Sequence, residues 1–167
     1  MTTETDTHIH YLRLALAEAA KCEPTPTAFC VGCVLTTRFD SKTQVLSTGY
    51  SRELPGNTHA EANALAKARA LTRDELAQQF RSQNIDELLR EADCYTTLEP
   101  CSVRTSGLAP CADALVEAKI KRCIIGVGEP DDFVKCEGAQ RLTKAGIEVI
   151  WVKGLEEECL AAARRGH

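Results

Sequence analysis

The sequence predicts an α/β protein, a three-layer α/β/α sandwich built on a five-stranded mixed sheet within one domain spanning residues 1–167. Three observations lead there. Segments of helical and strand periodicity follow one another as α-β-β-α-β-α-β-α-β-α. The first two strands are joined closely enough to be antiparallel, whereas the later strands alternate with helices and so require right-handed parallel crossovers. A chain of 167 residues, 44% hydrophobic and 26% charged, has average globular composition and can bury a core without disulfide help.

The elements follow in order. Ile9, Leu12, Leu16 and Ala19 recur at helical spacing, predicting a helix from about His8 to Cys22 that stops before Pro24 and Pro26. Cys30 to Leu35 reads as a buried strand, and Thr43 to Tyr50 as a more polar one after a turn at Asp40-Ser41. The alanine-rich stretch from Thr58 to Leu71 predicts a second helix. Thr72 to Glu91 is polar and reads as a surface excursion with a short helix around Asp86 to Arg90. Cys94 to Leu98 is a β-rich run ending on Glu99-Pro100-Cys101, and Cys111 to Lys119 is a helix with Pro110 near its start. A strand over Arg122 to Val127 is followed by a helix from Cys136 to Ala145 with Gly146 as its stop. A last strand, Ile147 to Val152, and a last helix, Leu155 to Arg164, complete the order.

Charge and cysteine usage narrow the function. Twenty Lys and Arg against twenty-four Asp and Glu give a net charge of −4 without a basic block, which disfavours a polynucleotide substrate. The start, MTTETDTHIH, is polar and no apolar run approaches a membrane span, so an intracellular, cytoplasmic protein is expected. Nine cysteines, an odd number spread through the expected core strands, read as metal ligands and buried thiols in a reducing compartment.

The chemistry is concentrated in His59-Ala60-Glu61 at one helix start, Pro100-Cys101 after a strand, and Cys111 at another helix start. One imidazole and two thiols form a three-ligand zinc set that leaves the fourth tetrahedral position open, the arrangement of a catalytic site. The other histidines, His8, His10 and His167, sit near the termini and are poor candidates for a fourth ligand. Helix amino termini favour the thiolates. A zinc ion there lowers the pKa of bound water toward ~7, and Glu61 stands close enough in sequence to manage its protons. Each residue also has a plainer reading: Thr58-His59-Ala60-Glu61 fits a capping box, and isolated His and Cys are commonly structural.

The strings HAEANAL, TLEPCS and PCADALVEAKIKRCIIGV resemble the cytidine-deaminase superfamily from about Leu12 to Val152. Their His, two Cys and Glu are the set that zinc nucleobase deaminases use. Within it the chain is most similar to riboflavin-pathway pyrimidine deaminases. Nine residues separate Cys101 from Cys111, as in that branch, where tRNA- and cytosine-type enzymes have two. Val31-Gly32-Cys33-Val34, Pro110 to Leu115 and Ala145 to Val149 carry the same likeness. Thr27-Ala28-Phe29 departs from the Pro-Asn-Pro of bacterial members, so a pyrimidine-holding amide is missing there. Asn57 is the candidate to replace it, with a helix cap as the alternative. The length leaves no room for the reductase often fused in bacteria, which points to a stand-alone fungal-type enzyme.

The resemblance implies a zinc-dependent aminohydrolase with Glu61 as proton shuttle and a pyrimidine phosphate as substrate, 2,5-diamino-6-(ribitylamino)pyrimidin-4-one 5′-phosphate. It also implies a homodimer. Arg104, Thr105 and Ser106, between the two cysteine ligands, are the candidates for the phosphate, or else a solvated turn. Glu129, Asp131 and Asp132 follow the strand ending at Val127, on the carboxyl edge where open α/β sheets often bind ligands, but the reading preferred for them is a solvated acidic turn. Two alternatives stay open: a zinc deaminase of cytosine, cytidine, guanine or tRNA adenosine, and an inactive zinc-containing scaffold.

Overall fold

The computed structural model describes residues 2–82, 84–104, 108–130 and 136–167. Strands β1 (Gly32–Phe39), β2 (Lys42–Tyr50), β3 (Asp93–Leu98), β4 (Arg122–Val127) and β5 (Glu148–Trp151) form one sheet in the order β2-β1-β3-β4-β5. β1 runs antiparallel to both β2 and β3, and β3, β4 and β5 are parallel. The hairpin turns at Asp40 and Ser41, both at positive φ (49° and 65°), the twist that matches a two-residue connection to the flanking strands.

Helices cover both faces. α1 (Glu4–Ala19) and α7 (Glu156–Ala163) pack with Val34, Tyr95 and Ile124. α2 (Ala60–Arg69), α3 (Arg73–Phe80), α4 (Ile85–Arg90), α5 (Cys111–Ala118) and α6 (Gly138–Lys144) contribute to a core with Cys33, Leu35, Cys94, Cys123 and Ile125. Neighbouring residues of β1, β3 and β4 thus point into different cores. That two-sided cover leaves these strands without an exposed face, and every residue of β3 is buried.

Two expectations are corrected. The first helix begins four residues earlier than its apolar spacing suggested, because Thr3 and Asp6 form a reciprocal capping box that starts the helix in polar sequence. The stretch Thr72 to Glu91 is not a surface excursion. Thr72 caps α3, Asn84 caps α4, and Leu76, Phe80, Leu88 and Leu89 are buried. The short helix expected around Asp86 to Arg90 is present as α4, whereas α3, with Leu76 and Phe80 as its buried residues, carries too little periodicity to stand out. The left-handed Gly146 (φ 90°) follows α6 where the sequence placed its stop.

His8 is no metal ligand. It is buried at α1, with Nδ1 2.9 Å from the Tyr95 hydroxyl, and burial holds its pKa below the ordinary value.

Leu89 is fully buried in the core that α4 shares with α5. Leu89→Ala should destabilise the protein by about 2–5 kcal/mol. Chemical denaturation reads this, and a cost as small as that of an exposed substitution would restore the surface-excursion reading.

Candidate active site

The first turn of α2 is pressed against the end of β2. A Cβ on Gly49 would stand 2.2 Å from the Ala60 carbonyl oxygen, so only glycine permits this approach. Asn63, buried in α2, donates through Nδ2 to the Tyr50 carbonyl at 2.8 Å and to Thr58 Oγ1 at 3.0 Å. The Thr58 hydroxyl donates to the Leu54 carbonyl at 2.8 Å. Thr58 is therefore spent on the preceding loop, His59 occupies the helix-cap position without a capping side chain, and the capping box suggested by the sequence does not form. Both side chains of the His59-Ala60-Glu61 motif are left for other work.

His59, Cys101 and Cys111 are brought together from α2, the loop after β3 and the first residue of α5, with one ligand atom of each within 4.8 Å of the others. His59 Nδ1 lies 3.5 Å from Cys101 Sγ and 3.3 Å from Cys111 Sγ. Tetrahedral zinc with bonds of about 2.0 Å to nitrogen and 2.3 Å to sulfur sets nitrogen and sulfur about 3.6 Å apart. The donor set and its spacing fit that ion. Among the described residues no fourth His, Cys, Asp or Glu joins the cluster.

The electrostatics are those of a site prepared for a cation. The Cys101 thiol is held down to about 4, first by a hydrogen bond from the Cys111 thiol and further by His59 and the Cys111 backbone N–H, which donates at 3.2 Å. Cys111, as that donor, is pushed up. Cys101 and Cys111 would both be thiolates when holding a dication, the shared proton having left.

Glu61 is buried, and burial, with the neighbouring sulfurs of Cys94 and Cys101, raises its pKa to about 7. The Thr96 hydroxyl lies 3.0 Å from Glu61 Oε1 and 2.8 Å from the Leu98 carbonyl. One hydroxyl carries one proton, so Thr96 either donates to the carboxylate or accepts from the carboxylic acid while donating to Leu98. It holds Glu61 in either protonation state.

These groups open on a cleft of about 140 Å³, whose walls include Phe29, Arg52, Asn57, Glu99, Arg104 and Glu129. Asn57 is exposed and caps no helix; its carbonyl accepts from Arg104 Nη2 at 2.6 Å, which ties the loop after Cys101 to the loop before α2. Asn57 and Arg104 thus both border the cleft, while Thr105, Ser106, Asp131 and Asp132 lie outside the described residues. Glu129 is not a solvated acidic residue. It lines the cleft, and burial raises its pKa to about 7.

Sequence reasoning missed Thr96, Glu99 and Arg52. Glu99 Oε2 accepts from the Ala139 N–H at 3.0 Å, and Arg52 Nη2 donates to the Glu23 carbonyl at 2.9 Å. Only Glu99 had a local signal, its place beside Pro100-Cys101.

Residues 5–127 match the family model described as the cytidine and deoxycytidylate deaminase zinc-binding region. A diaminohydroxyphosphoribosylamino-pyrimidine deaminase of Schizosaccharomyces pombe is 45% identical over 96% of this chain and 36% of its own length. The riboflavin biosynthesis protein RibD of Actinobacillus pleuropneumoniae is 34% identical over 93% of this chain and 35% of its own. The chain thus spans just over a third of these curated relatives. The crystal structure of Aspergillus oryzae Rib2 deaminase, as a C-terminal deletion mutant, superposes with a TM-score of 0.76 at 38% identity over 96% of this chain and 92% of that one. The same mutant in complex with DARIPP superposes with a TM-score of 0.74 at 36% identity, over 96% and 91% of the two chains. The sheet, the His/Cys/Cys cluster and these matches agree that the chain belongs to the cytidine and deoxycytidylate deaminase zinc-binding family.

Proposed function

We propose that the chain, as one deaminase domain over residues 1–167, hydrolyses 2,5-diamino-6-(ribitylamino)pyrimidin-4-one 5′-phosphate to the corresponding uracil and ammonia in riboflavin biosynthesis. The observation that carries this reading is the superposition on the A. oryzae deaminase solved with DARIPP, which extends over nearly the whole chain. The lower identity to RibD and the absence of Pro-Asn-Pro at residues 27–29 support the ribityl over the ribosyl substrate. All nine cysteines are free, which supports a cytoplasmic setting, and no helix of the described residues is long and apolar enough to cross a membrane.

His59, Cys101 and Cys111 would hold zinc, which supplies Lewis-acid activation of water. Glu61 takes one proton from the attacking water on its carboxylate and passes it to the ring nitrogen, then takes the remaining proton from the hydroxyl on the tetrahedral carbon and passes it to the departing amine. The new bond is carbon to oxygen, the broken one carbon to nitrogen, and the amine leaves as ammonia. Thr96 keeps Glu61 aimed through both halves of this transfer. Arg104, half-buried at the cleft rim, meets the phosphate with the donors its guanidinium has left after Asn57.

Ammonia release should be selective for the ribityl phosphate over its ribosyl counterpart, cytidine, cytosine and guanine. Preference for another base would keep the chemistry and discard the pathway. Glu61→Gln should retain about one zinc per chain by metal analysis and lose at least ~10³-fold in kcat, combining loss of proton transfer and of its positioning. Cys101→Ser should lose the metal together with the activity.

Arg104→Ala should raise KM about tenfold with little change in kcat, as expected for a charge-assisted contact to a remote phosphate. An unchanged KM would remove Arg104 from substrate binding. The homodimer implied by the family likeness belongs to the same proposal, and light scattering should return twice the chain mass.

A further inference from the structure

Glu129 directly follows β4 and Gly128, at the carboxyl edge of the parallel strands. It borders the cleft together with His59, Glu61 and Cys101. The Cys136 thiol approaches the Glu129 carboxyl closely enough to lower its pKa against the rise from burial, yet Oε2 is buried and has no partner at hydrogen-bond geometry among the described residues. The other carboxylates of the cleft are engaged. Glu99 Oε1 accepts from the Glu129 N–H at 3.4 Å and Glu99 Oε2 from the Ala139 N–H, while Glu61 is held by Thr96. A buried acceptor left empty is costly, and a ligand that brings a donor removes the penalty.

A carboxyl oxygen repels phosphate and accepts N–H or O–H, so it faces the base rather than the charged tail. The cleft is polar in that sense, with Arg52 and Arg104 as its guanidinium groups and Glu61, Glu99 and Glu129 as its carboxyl groups. Glu129 also feels the charges of Cys101 and His59, which sets it toward the end where the ring reacts. The amine that leaves belongs to Glu61. The aminopyrimidine carries a second ring amine, at the 5 position, that does not react.

We infer that Glu129 is a specificity-determining residue whose Oε2 accepts a hydrogen bond from this non-reacting ring amine. The inference rests on the substrate proposed above. Through this contact the enzyme distinguishes a diaminopyrimidine from one lacking the second amine, a difference that zinc and Glu61 do not read.

The test compares kcat/KM for the proposed substrate and for its 5-deamino analogue, 2-amino-6-(ribitylamino)pyrimidin-4-one 5′-phosphate, in the zinc-loaded enzyme and in Glu129→Ala and Glu129→Gln. The unsubstituted enzyme should favour the diamino compound by about 10- to 100-fold, the range of one hydrogen bond to a charged group. Glu129→Ala should bring the two substrates to near parity, and Glu129→Gln, which keeps one carbonyl oxygen, should fall between. Equal losses on both substrates would overturn the inference, since they would place the contact on the sugar hydroxyls or make it structural. Loss of zinc or of the thermal transition in both variants would likewise overturn it by assigning Glu129 to the fold. Should the unsubstituted enzyme turn over neither compound, the proposed substrate fails and this inference falls with it, a result distinct from activity without discrimination.

Discussion

The close approach of α2 to the end of β2 is the constraint on which the rest of the site depends. Gly49 removes the side chain that would hold the two apart, and Asn63 fastens the helix to the Tyr50 carbonyl and to Thr58. This fixes where the helix begins and therefore where His59 and Glu61 emerge. The loop after β3 and the start of α5 then bring Cys101 and Cys111 to the same point. Both helices direct their amino termini to that point, where their unpaired N–H groups favour sulfur in its anionic form.

Burial of this junction sets its chemistry. In water a carboxylate, an imidazole and two thiols would titrate nearly independently. Here Cys111 donates to Cys101, and the carboxyl of Glu61 rises to about 7, so a few protons are shared among groups that need partners. Held by Cys101, Cys111 and His59, a dication would end the sharing and offset the cost of gathering anions in a place of low dielectric. Thr96 contributes a hydroxyl that can donate or accept, so the carboxyl keeps its hydrogen bond whether or not it carries the proton.

Much of the site was legible because its spacing is local. His59-Ala60-Glu61 are consecutive, and the cysteines stand beside prolines at element ends. The same local grammar misled at Thr58, which fits a capping box in sequence but turns back to Leu54 in the fold. It also left α3 hidden, because Leu76 and Phe80 mark a buried face only once the rest of their core cluster has gathered around them. Arg52 carried no signal that separates it from surface charges, and Glu129 only its place at the carboxyl end of a strand, since what distinguishes both is the wall of a cleft formed by distant segments.

By itself the sequence determined the identity of the strands and nearly all helices and the mixed character of the sheet, which follow from periodicity and turn residues, properties of short stretches of chain. His59, Cys101, Cys111 and Glu61 were grouped as candidates for one site through their resemblance to the zinc deaminases. Tertiary structure alone decided that β1 lies between β2 and β3, that Thr96 reaches Glu61 across 35 residues, and that one oxygen of Glu129 is buried without a hydrogen-bond partner among the described residues. Those facts depend on strand order and on the burial created when separate segments meet, and neither quantity exists in a chain until it has folded.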